Sequence, residues 1–200
     1  MALDAETIVR EALLLLRRDG LAGLTFRALT TRLGVKAPAI YWRFANKQEL
    51  LEAVAEAILR EQFDEPAPAT DRPWRDQLTA TLHRLRTALL GYPDGARVVV
   101  GARPLGTPTL ARIAEDALTT LDAAGVGPAD AANIVFTAVH YTFGHVIEEQ
   151  DSAGATEMDA ETAARFVRDH PAIGRAMAIG AGADRADIYA AGLALIIGRP

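Results

Sequence analysis

The fold of this 200-residue chain is decided by residues 25–47, which read TFRALTTRLGVKAPAIYWRFANK. Thr25 can cap a first helix, because its hydroxyl can accept a hydrogen bond from an unpaired amide of the first turn. Gly34 stands where the end of that helix needs a left-handed residue. Pro38 is tolerated in the first turn of a second helix, where its missing N–H costs no hydrogen bond. The pattern predicts two short helices joined by a tight turn, the outline of a helix-turn-helix.

The apolar residues of this stretch are spaced as on one face of each helix. Phe26, Leu29 and Leu33 stand at i, i+3 and i+7, the spacing of an amphipathic helix. Ile40 and Phe44 stand at i and i+4 in the second helix. We therefore expect both helices to turn one face towards a small shared core.

The charge of the stretch is one-sided. It contains five basic residues and no Asp or Glu: Arg27, Arg32, Lys36, Arg43 and Lys47. The whole chain has a net charge of -5, and its only two lysines are in this stretch. A basic surface on an acidic protein suits contact with phosphate groups. The alternative is a plain helical hairpin with a solvated basic face.

The composition excludes several classes of protein. The chain has no Cys, which rules out a disulfide framework, a thiolate zinc site and a Cys nucleophile. No apolar run approaches the ~18 residues of a membrane span. The N-terminus MALD does not resemble a secretory signal. We therefore expect a soluble, cytoplasmic protein with no membrane partner.

Proline and glycine divide the chain into two predicted domains. The first covers residues 1–62 and ends in a connecting helix over 47–63, opened by a capping-box pattern of Asn46 and Glu49. A proline-rich linker over 64–73 leads to a larger domain over 72–200. Further helices are predicted over 5–19, 74–90, 96–100, 107–124, 129–149, 159–169 and 184–198, with a partly helical segment over 172–182 and a loop over 151–158. These predictions amount to an all-α fold.

Several segments are similar to one known family. LTFRAL at 24–29, LGV at 33–35, AIYWRF at 39–44 and NKQELL at 46–51 resemble the N-terminal domain of the TetR family of transcriptional repressors. Residues 92–98, 101–104, 138–150 and 191–198 resemble its tetracycline-repressor branch. The resemblance spans nearly the whole chain. It implies a homodimer, formed through helices 129–149 and 184–198, that binds a palindromic double-stranded DNA operator and leaves it when a small-molecule inducer binds.

The resemblance also implies which residues contact DNA. Residues 36–43 would lie in the major groove, and Arg27 matches a base or phosphate contact of the family. Ala37, Pro38 and Ala39 offer little hydrogen bonding, so they would act through methyl contacts and shape. The remaining contacts would be mostly with phosphate and sugar. The full predicted set is Thr25, Arg27, Lys36, Ala37, Pro38, Ala39, Tyr41, Trp42, Arg43 and Lys47.

The second domain departs from the tetracycline repressor where that protein holds magnesium and drug. A metal-binding histidine aligns with Val99, which offers Mg²⁺ no donor atom. The departures argue against magnesium-tetracycline as inducer and indicate a hydrophobic small molecule. The pocket residues implied by the match are Phe63, Thr81, Leu85, Val99, Ala102, His140 and Phe143. We expect no metal and no cofactor.

Other readings remain open. His145 and Glu149 are spaced i, i+4, but His140 lies roughly 140° from His145 around a helix. The three cannot converge on one ion, so we expect a surface ion pair or a dimer contact of His145 and Glu149. No catalytic constellation is present, and we expect no enzyme. The alternatives are a DNA-binding regulator without a ligand, and a helical-bundle enzyme or carrier.

Overall fold

The computed structural model describes residues 3–65, 71–153, 159–180 and 182–198, and every regular element within them is helical. The helices are α1 Ala5–Gly23, α2 Phe26–Leu33, α3 Ala37–Tyr41, α4 Lys47–Phe63, α5 Trp74–Leu90, α6 Gly95–Val100, α7 Pro108–Ala123, α8 Pro128–Ala153, α9 Ala160–Asp169, α10 Pro171–Gly180 and α11 Arg185–Ile197. A single 3₁₀ turn covers Pro104–Gly106. The predicted all-α class is confirmed.

The first helix is longer than expected. Asp4 caps α1 by accepting a hydrogen bond from the Thr7 amide at 2.7 Å. We expected Gly20 to end the helix, but the chain only breaks there, with φ 66° and ψ −172°, and helical structure continues to Gly23. The side chain of Asp94 accepts a hydrogen bond from the Leu21 amide at 2.9 Å. A residue 73 positions away therefore supports the helical turn after the break.

The connecting helix α4 lies between the two halves of the molecule. The Asn46 side chain accepts a hydrogen bond from the Glu49 amide at 3.0 Å. The Glu49 carboxylate accepts one from the amide of Ala45, the residue before the cap, at 2.8 Å, so both side chains satisfy free amides at the start of the helix. Leu50, Val54 and Ile58 are fully buried. The helix packs against α1 on one side and α5, α6 and α7 on the other.

The second half of the molecule is centred on α8, which contacts α5, α6, α7 and α11. Residues 151–153, predicted as loop, instead form the last residues of α8. The reason is tertiary: Arg97 donates two hydrogen bonds to Asp151, at 2.8 and 2.7 Å. Residues 154–158 of the predicted loop and 66–70 of the predicted linker lie outside the described residues.

The two helices predicted to form a dimer interface lie side by side. α8 packs against α11, and the pair leaves large apolar side chains exposed. Phe136 of α8 is 47% exposed, and Ile188 and Leu195 of α11 are 40% and 87% exposed. α9 and α10 pack against each other and contain no buried residue.

Candidate nucleic-acid interface and ligand cavity

The helix-turn-helix forms from local interactions. The Thr25 hydroxyl accepts a hydrogen bond from the Ala28 amide at 3.1 Å and caps α2. Gly34 ends that helix with φ 65° and ψ 30°, a left-handed conformation that favours glycine. Pro38 lies in the first turn of α3. α3 covers only five residues, so Trp42 and Arg43 follow the helix and are not part of it.

The surface that α2 and α3 present is exposed and basic. Of the ten residues predicted to contact DNA, all are exposed except Ala39, which is half-buried. Trp42 is 86% exposed. Within the described ranges, none of Arg27, Lys36, Arg43 and Lys47 forms an ion pair. Their charges are therefore available to phosphate groups.

Three contacts orient this surface. The Tyr41 ring packs edge-on against Phe26, with ring centroids 4.9 Å apart. The Arg43 guanidinium donates to the Leu3 carbonyl at 3.0 Å, which ties the segment after α3 to the start of the chain. Arg32 differs from its basic neighbours because it is paired with Glu11 of α1.

A row of polar side chains on α4 holds the segment that joins α6 to α7. Gln48 donates to the Gly101 carbonyl at 2.9 Å. Glu52 accepts from Arg103 at 2.5 Å, and this hydrogen-bonded guanidinium lowers the pKa of Glu52. Glu56 accepts hydrogen bonds from the Thr109 amide and hydroxyl at 3.0 and 2.6 Å. The spacing i, i+4, i+8 puts all three on one face of the helix.

A cavity of about 430 Å³ opens between the end of α4, α5 and α7. Its apolar wall includes Phe63, Leu78, Ile113 and Leu121, all buried. Charged and polar side chains also line it: Arg72, Asp76, Gln77, Thr81, Arg84, Arg112, Asp116 and Thr120. The volume falls within the ~300–1,000 Å³ usual for small-molecule sites.

The structure brings only part of the predicted ligand set to this cavity. Phe63 and Thr81 line it. Leu85 and Val99 are fully buried, Phe143 is buried, Ala102 is half-buried and His140 is exposed, and none of these five lines the cavity. The sequence reasoning missed Arg84 and Arg112, which gave no signal because they stand on separate amphipathic helices.

The expected surface pair of His145 and Glu149 is corrected by the structure. Both side chains are largely buried, at 9% and 20% exposure, and His145 Nε2 lies 3.9 Å from the Glu149 carboxylate. Arg86 of α5 is the close partner of Glu149, with hydrogen bonds of 2.9 and 2.8 Å to its two oxygens. Glu149 is therefore an interior anchor between α5 and α8, a contact that no spacing along one helix could reveal.

A second buried contact joins α5, α8 and α11. The Tyr189 hydroxyl donates to the Leu82 carbonyl at 3.1 Å and lies 2.8 Å from the Thr142 hydroxyl. Burial raises the pKa of Tyr189 to about 12. Burial also lowers the pKa of His83, whose ring lies edge-on to Tyr189, with a contribution from Arg86.

No group of three or more metal-ligating side chains occurs in the part of the chain that the structure describes. Over the same residues, no helix is both long and apolar enough to cross a membrane.

Family models cover most of the sequence. Residues 8–54 match the model for bacterial regulatory proteins of the tetR family, and residues 66–198 match the tetracyclin repressor-like C-terminal domain. The tetracycline repressor protein class A from transposon 1721 of Escherichia coli is 45% identical over 148 residues, which are 74% of this chain and 68% of that protein.

Solved structures agree with these matches. BioQ bound to its double-stranded DNA operator has a TM-score of 0.69 and 37% identity, over 76% of this chain and 89% of that one. A TetR variant from Acinetobacter baumannii AYE in complex with minocycline has a TM-score of 0.75 and 36% identity, over 98% and 94% of the two chains. Because both family models and the class A tetracycline repressor match, the chain belongs to the TetR family of transcriptional regulators, with a C-terminal domain of the tetracycline-repressor type.

Proposed function

We propose that this protein is a ligand-responsive transcriptional repressor that binds a palindromic DNA operator as a homodimer. The observation that carries the proposal is the basic surface from α2 to the start of α4, where Arg27, Lys36 and Lys47 are exposed and form no ion pair within the described residues. Unpaired cations of this kind bind phosphate by releasing counterions. The operator-bound BioQ relative supports the same assignment.

In this proposal α3 enters the major groove. Lys36, Trp42, Arg43 and Lys47 contact phosphate and sugar and fix the register. Arg27 reads a base or a phosphate, since an arginine can form two hydrogen bonds with guanine. Tyr41 belongs to the same phosphate and sugar contacts, and Thr25 and the small residues 37–39 complete the contact surface. Specificity at 37–39 comes from methyl contacts and DNA shape.

Dimerisation through α8 and α11 is part of the proposal. Two recognition helices must stand about 34–36 Å apart to meet successive major grooves. A four-helix interface would cover the exposed Phe136, Ile188 and Leu195. Burial of such side chains is the usual source of dimer stability.

Release by an inducer would act through α4. That helix begins at Lys47, the last residue of the DNA-facing segment, and ends at Phe63, which lines the cavity. Its 17 residues span about 25 Å at 1.5 Å per residue. A ligand that prefers a state with a different spacing of the recognition helices shifts the protein towards that state.

A second candidate is a regulator that binds DNA and takes no ligand. The observation that favours it is the burial of Leu85 and Val99, which fill a core where the family resemblance implies a pocket. A panel of hydrophobic compounds separates the two candidates by thermal unfolding. A repressor with an inducer site is stabilised by some compounds in proportion to RT ln(1 + [L]/Kd), whereas a filled core gives no shift.

The deciding experiment is the selection of bound duplexes from a random-sequence pool at stated salt, followed by the stoichiometry of the selected complex. We expect an inverted repeat bound by one dimer. Binding to every sequence with the same strong salt dependence would instead remove the repressor assignment. As a family member acting on DNA, the protein is expected to work in the cytoplasm and to catalyse no reaction.

A further inference from the structure

We infer that the cavity takes an amphipathic anion, with an apolar body against the buried wall and a carboxylate held by Arg84 and Arg112. This inference rests on the proposed function and names the chemical class of its inducer. It also differs from the purely hydrophobic molecule that the sequence indicates, because the cavity has a charged side that the sequence does not reveal.

The two arginines approach the cavity from different helices and meet at the end of α4. Arg84 of α5 stacks over the Phe63 ring, 4.6 Å from its centroid, and donates to the Gln62 carbonyl. Arg112 of α7 donates to the Phe63 carbonyl. Both therefore bind carbonyls of the last helical turn, which have no donor within the helix. The carbonyls hold the two guanidinium groups beside the apolar wall.

These two cations lack the close carboxylates that two other arginines of this domain have. Arg86 contacts Glu149 at 2.8 Å, and Arg103 contacts Glu52 at 2.5 Å. Within the described residues, neither Arg84 nor Arg112 has a carboxylate nearer than the 4.0 Å that separates Arg112 from Asp116. A guanidinium has five N–H donors, so a bound carboxylate can be held without breaking the carbonyl contacts.

Two aspartates in the cavity lining would repel a bound anion. Asp76 and Asp116 also line the cavity, against three arginines, Arg72, Arg84 and Arg112. The side chain of Asp116 is 71% exposed, so solvent and salt screen its charge. The repulsion that Asp116 exerts on a bound carboxylate is therefore weak.

The apolar wall of the cavity favours a hydrocarbon body for the rest of the ligand. Leu78, Ile113, Ala117 and Leu121 are at most 8% exposed and line the cavity beside Phe63. Burial of hydrocarbon against them contributes roughly 25 cal/mol per Å² of apolar surface. Charge-assisted hydrogen bonds to arginine then orient the carboxylate end. A small inorganic anion would leave this wall uncovered.

The same geometry connects the ligand to α4. Arg84 and Arg112 are bonded to its last turn, and the DNA-facing segment precedes its first turn. A carboxylate that binds both guanidinium groups adds charge-assisted hydrogen bonds to two side chains that already hold one end of the helix. This is a direct route by which binding in the cavity favours a different position of α4.

The test compares head groups on a constant apolar body. Decanoate, decanamide and decylamine are titrated calorimetrically into the full-length protein at pH 7.5 without DNA, and 2-naphthoate, 2-naphthamide and 2-naphthylmethylamine form a second series. We expect the carboxylate to bind at least about tenfold more tightly than its amide or amine in at least one series. This ratio corresponds to a difference of about 1.4 kcal/mol in binding free energy. Arg84→Gln and Arg112→Gln should each reduce that preference to threefold or less. Arg60→Gln removes a cation of α4 that pairs with Asp64 outside the cavity, and it should keep the preference.

The inference is overturned if amide or amine binds as tightly as carboxylate in both series, if no compound binds, or if the arginine variants keep the wild-type preference. The comparison of head groups on the wild-type protein decides the question even if one variant fails to fold. Ligand binding is measured without DNA, whereas the repressor assignment is tested by duplex selection. The two failures are therefore distinguishable, and fluorescence anisotropy of a labelled selected duplex then reports whether the bound carboxylate weakens DNA binding.

Discussion

Asp94 connects the turn before α6 to the break in α1, and we predict that Asp94→Ala lowers the free energy of unfolding by about 2 kcal/mol. The residue adopts a left-handed conformation with φ 57° and ψ 14°. Its carboxylate accepts the Leu21 amide at 2.9 Å, one residue after the break at Gly20. The substitution therefore removes a contact between the N-terminal helices and the rest of the molecule.

The magnitude follows from two contributions. A hydrogen bond to a charged group contributes about 1.5–3 kcal/mol, and the partial exposure of Asp94, 32% of its side chain, puts it near the lower value. A left-handed conformation costs most L-residues about 1–2 kcal/mol, less for Asp and Asn, and nothing for Gly. The alanine variant loses the hydrogen bond, and its left-handed conformation costs more than that of Asp. Together these effects should lower the free energy of unfolding by about 2 kcal/mol.

Two other substitutions separate the contributions. Asp94→Gly also loses the hydrogen bond but relieves the backbone, so the net loss should be about 0.5 kcal/mol. Asp94→Asn keeps an acceptor oxygen and tolerates the conformation, so it should also lose about 0.5 kcal/mol. The predicted order of stability is wild type, then Asn and Gly together, then Ala.

Urea unfolding followed by circular dichroism, at one fixed protein concentration, measures these differences. Asp122→Ala, at an exposed position of α7, controls for the loss of one negative charge. The reasoning is refuted if the alanine and glycine variants are equally unstable, because the left-handed backbone would then cost nothing. It is equally refuted if the alanine variant is within about 0.5 kcal/mol of the wild type, since the hydrogen bond would then contribute less than a typical one.

Four further outcomes are expected. Leu195→Glu should raise the dimer dissociation constant at least ~100-fold in sedimentation experiments, because burying an unpaired carboxylate costs several kcal/mol; Leu14→Glu, on exposed α1 surface, should not. Lys36→Ala should reduce the slope of log affinity for the selected duplex against log salt by ~0.9, the effect of one lost phosphate contact; an unchanged slope would remove Lys36 from the phosphate contacts. The lowered pKa of His83 means that the unfolded chain binds more protons than the folded protein below about pH 6.5. Stability in urea should therefore fall between pH 7 and pH 5.5, and less so in His83→Gln; parallel pH profiles would contradict this. Magnesium-tetracycline should not weaken duplex binding in anisotropy titrations, because Val99 offers the metal no donor; any release would show that the cation is held elsewhere.

The candidate site was only partly predictable from the sequence. The ten DNA-facing residues lie within 23 consecutive positions, and the family resemblance indicated that they share a surface. The ligand cavity draws on the end of α4, on α5 and on α7, which are far apart in the chain. The family resemblance indicated Phe63 and Thr81, but nothing in the sequence singled out Arg84 and Arg112. Their role depends on which carbonyls and which apolar wall they meet.

What the sequence determined by itself is local. Caps such as Thr25 and Asn46, the left-handed Gly34 and the apolar spacing act over three to seven residues, a range in which backbone geometry alone brings the partners together. They predicted the all-α class, the helix-turn-helix and the extent of α4, and the structure confirms each of these.

Only the tertiary structure decided the partners of the charged residues. Glu149 was expected to form a surface ion pair with His145 or a dimer contact, but it is anchored by Arg86, 63 positions earlier. Asp94 supports α1 from 73 positions away, and Arg97 extends α8 through Asp151. The physical reason is that a charged side chain pairs with whatever packing places within about 4 Å, where the Coulomb energy is largest. No local pattern encodes that neighbour, because it is set by how whole helices pack.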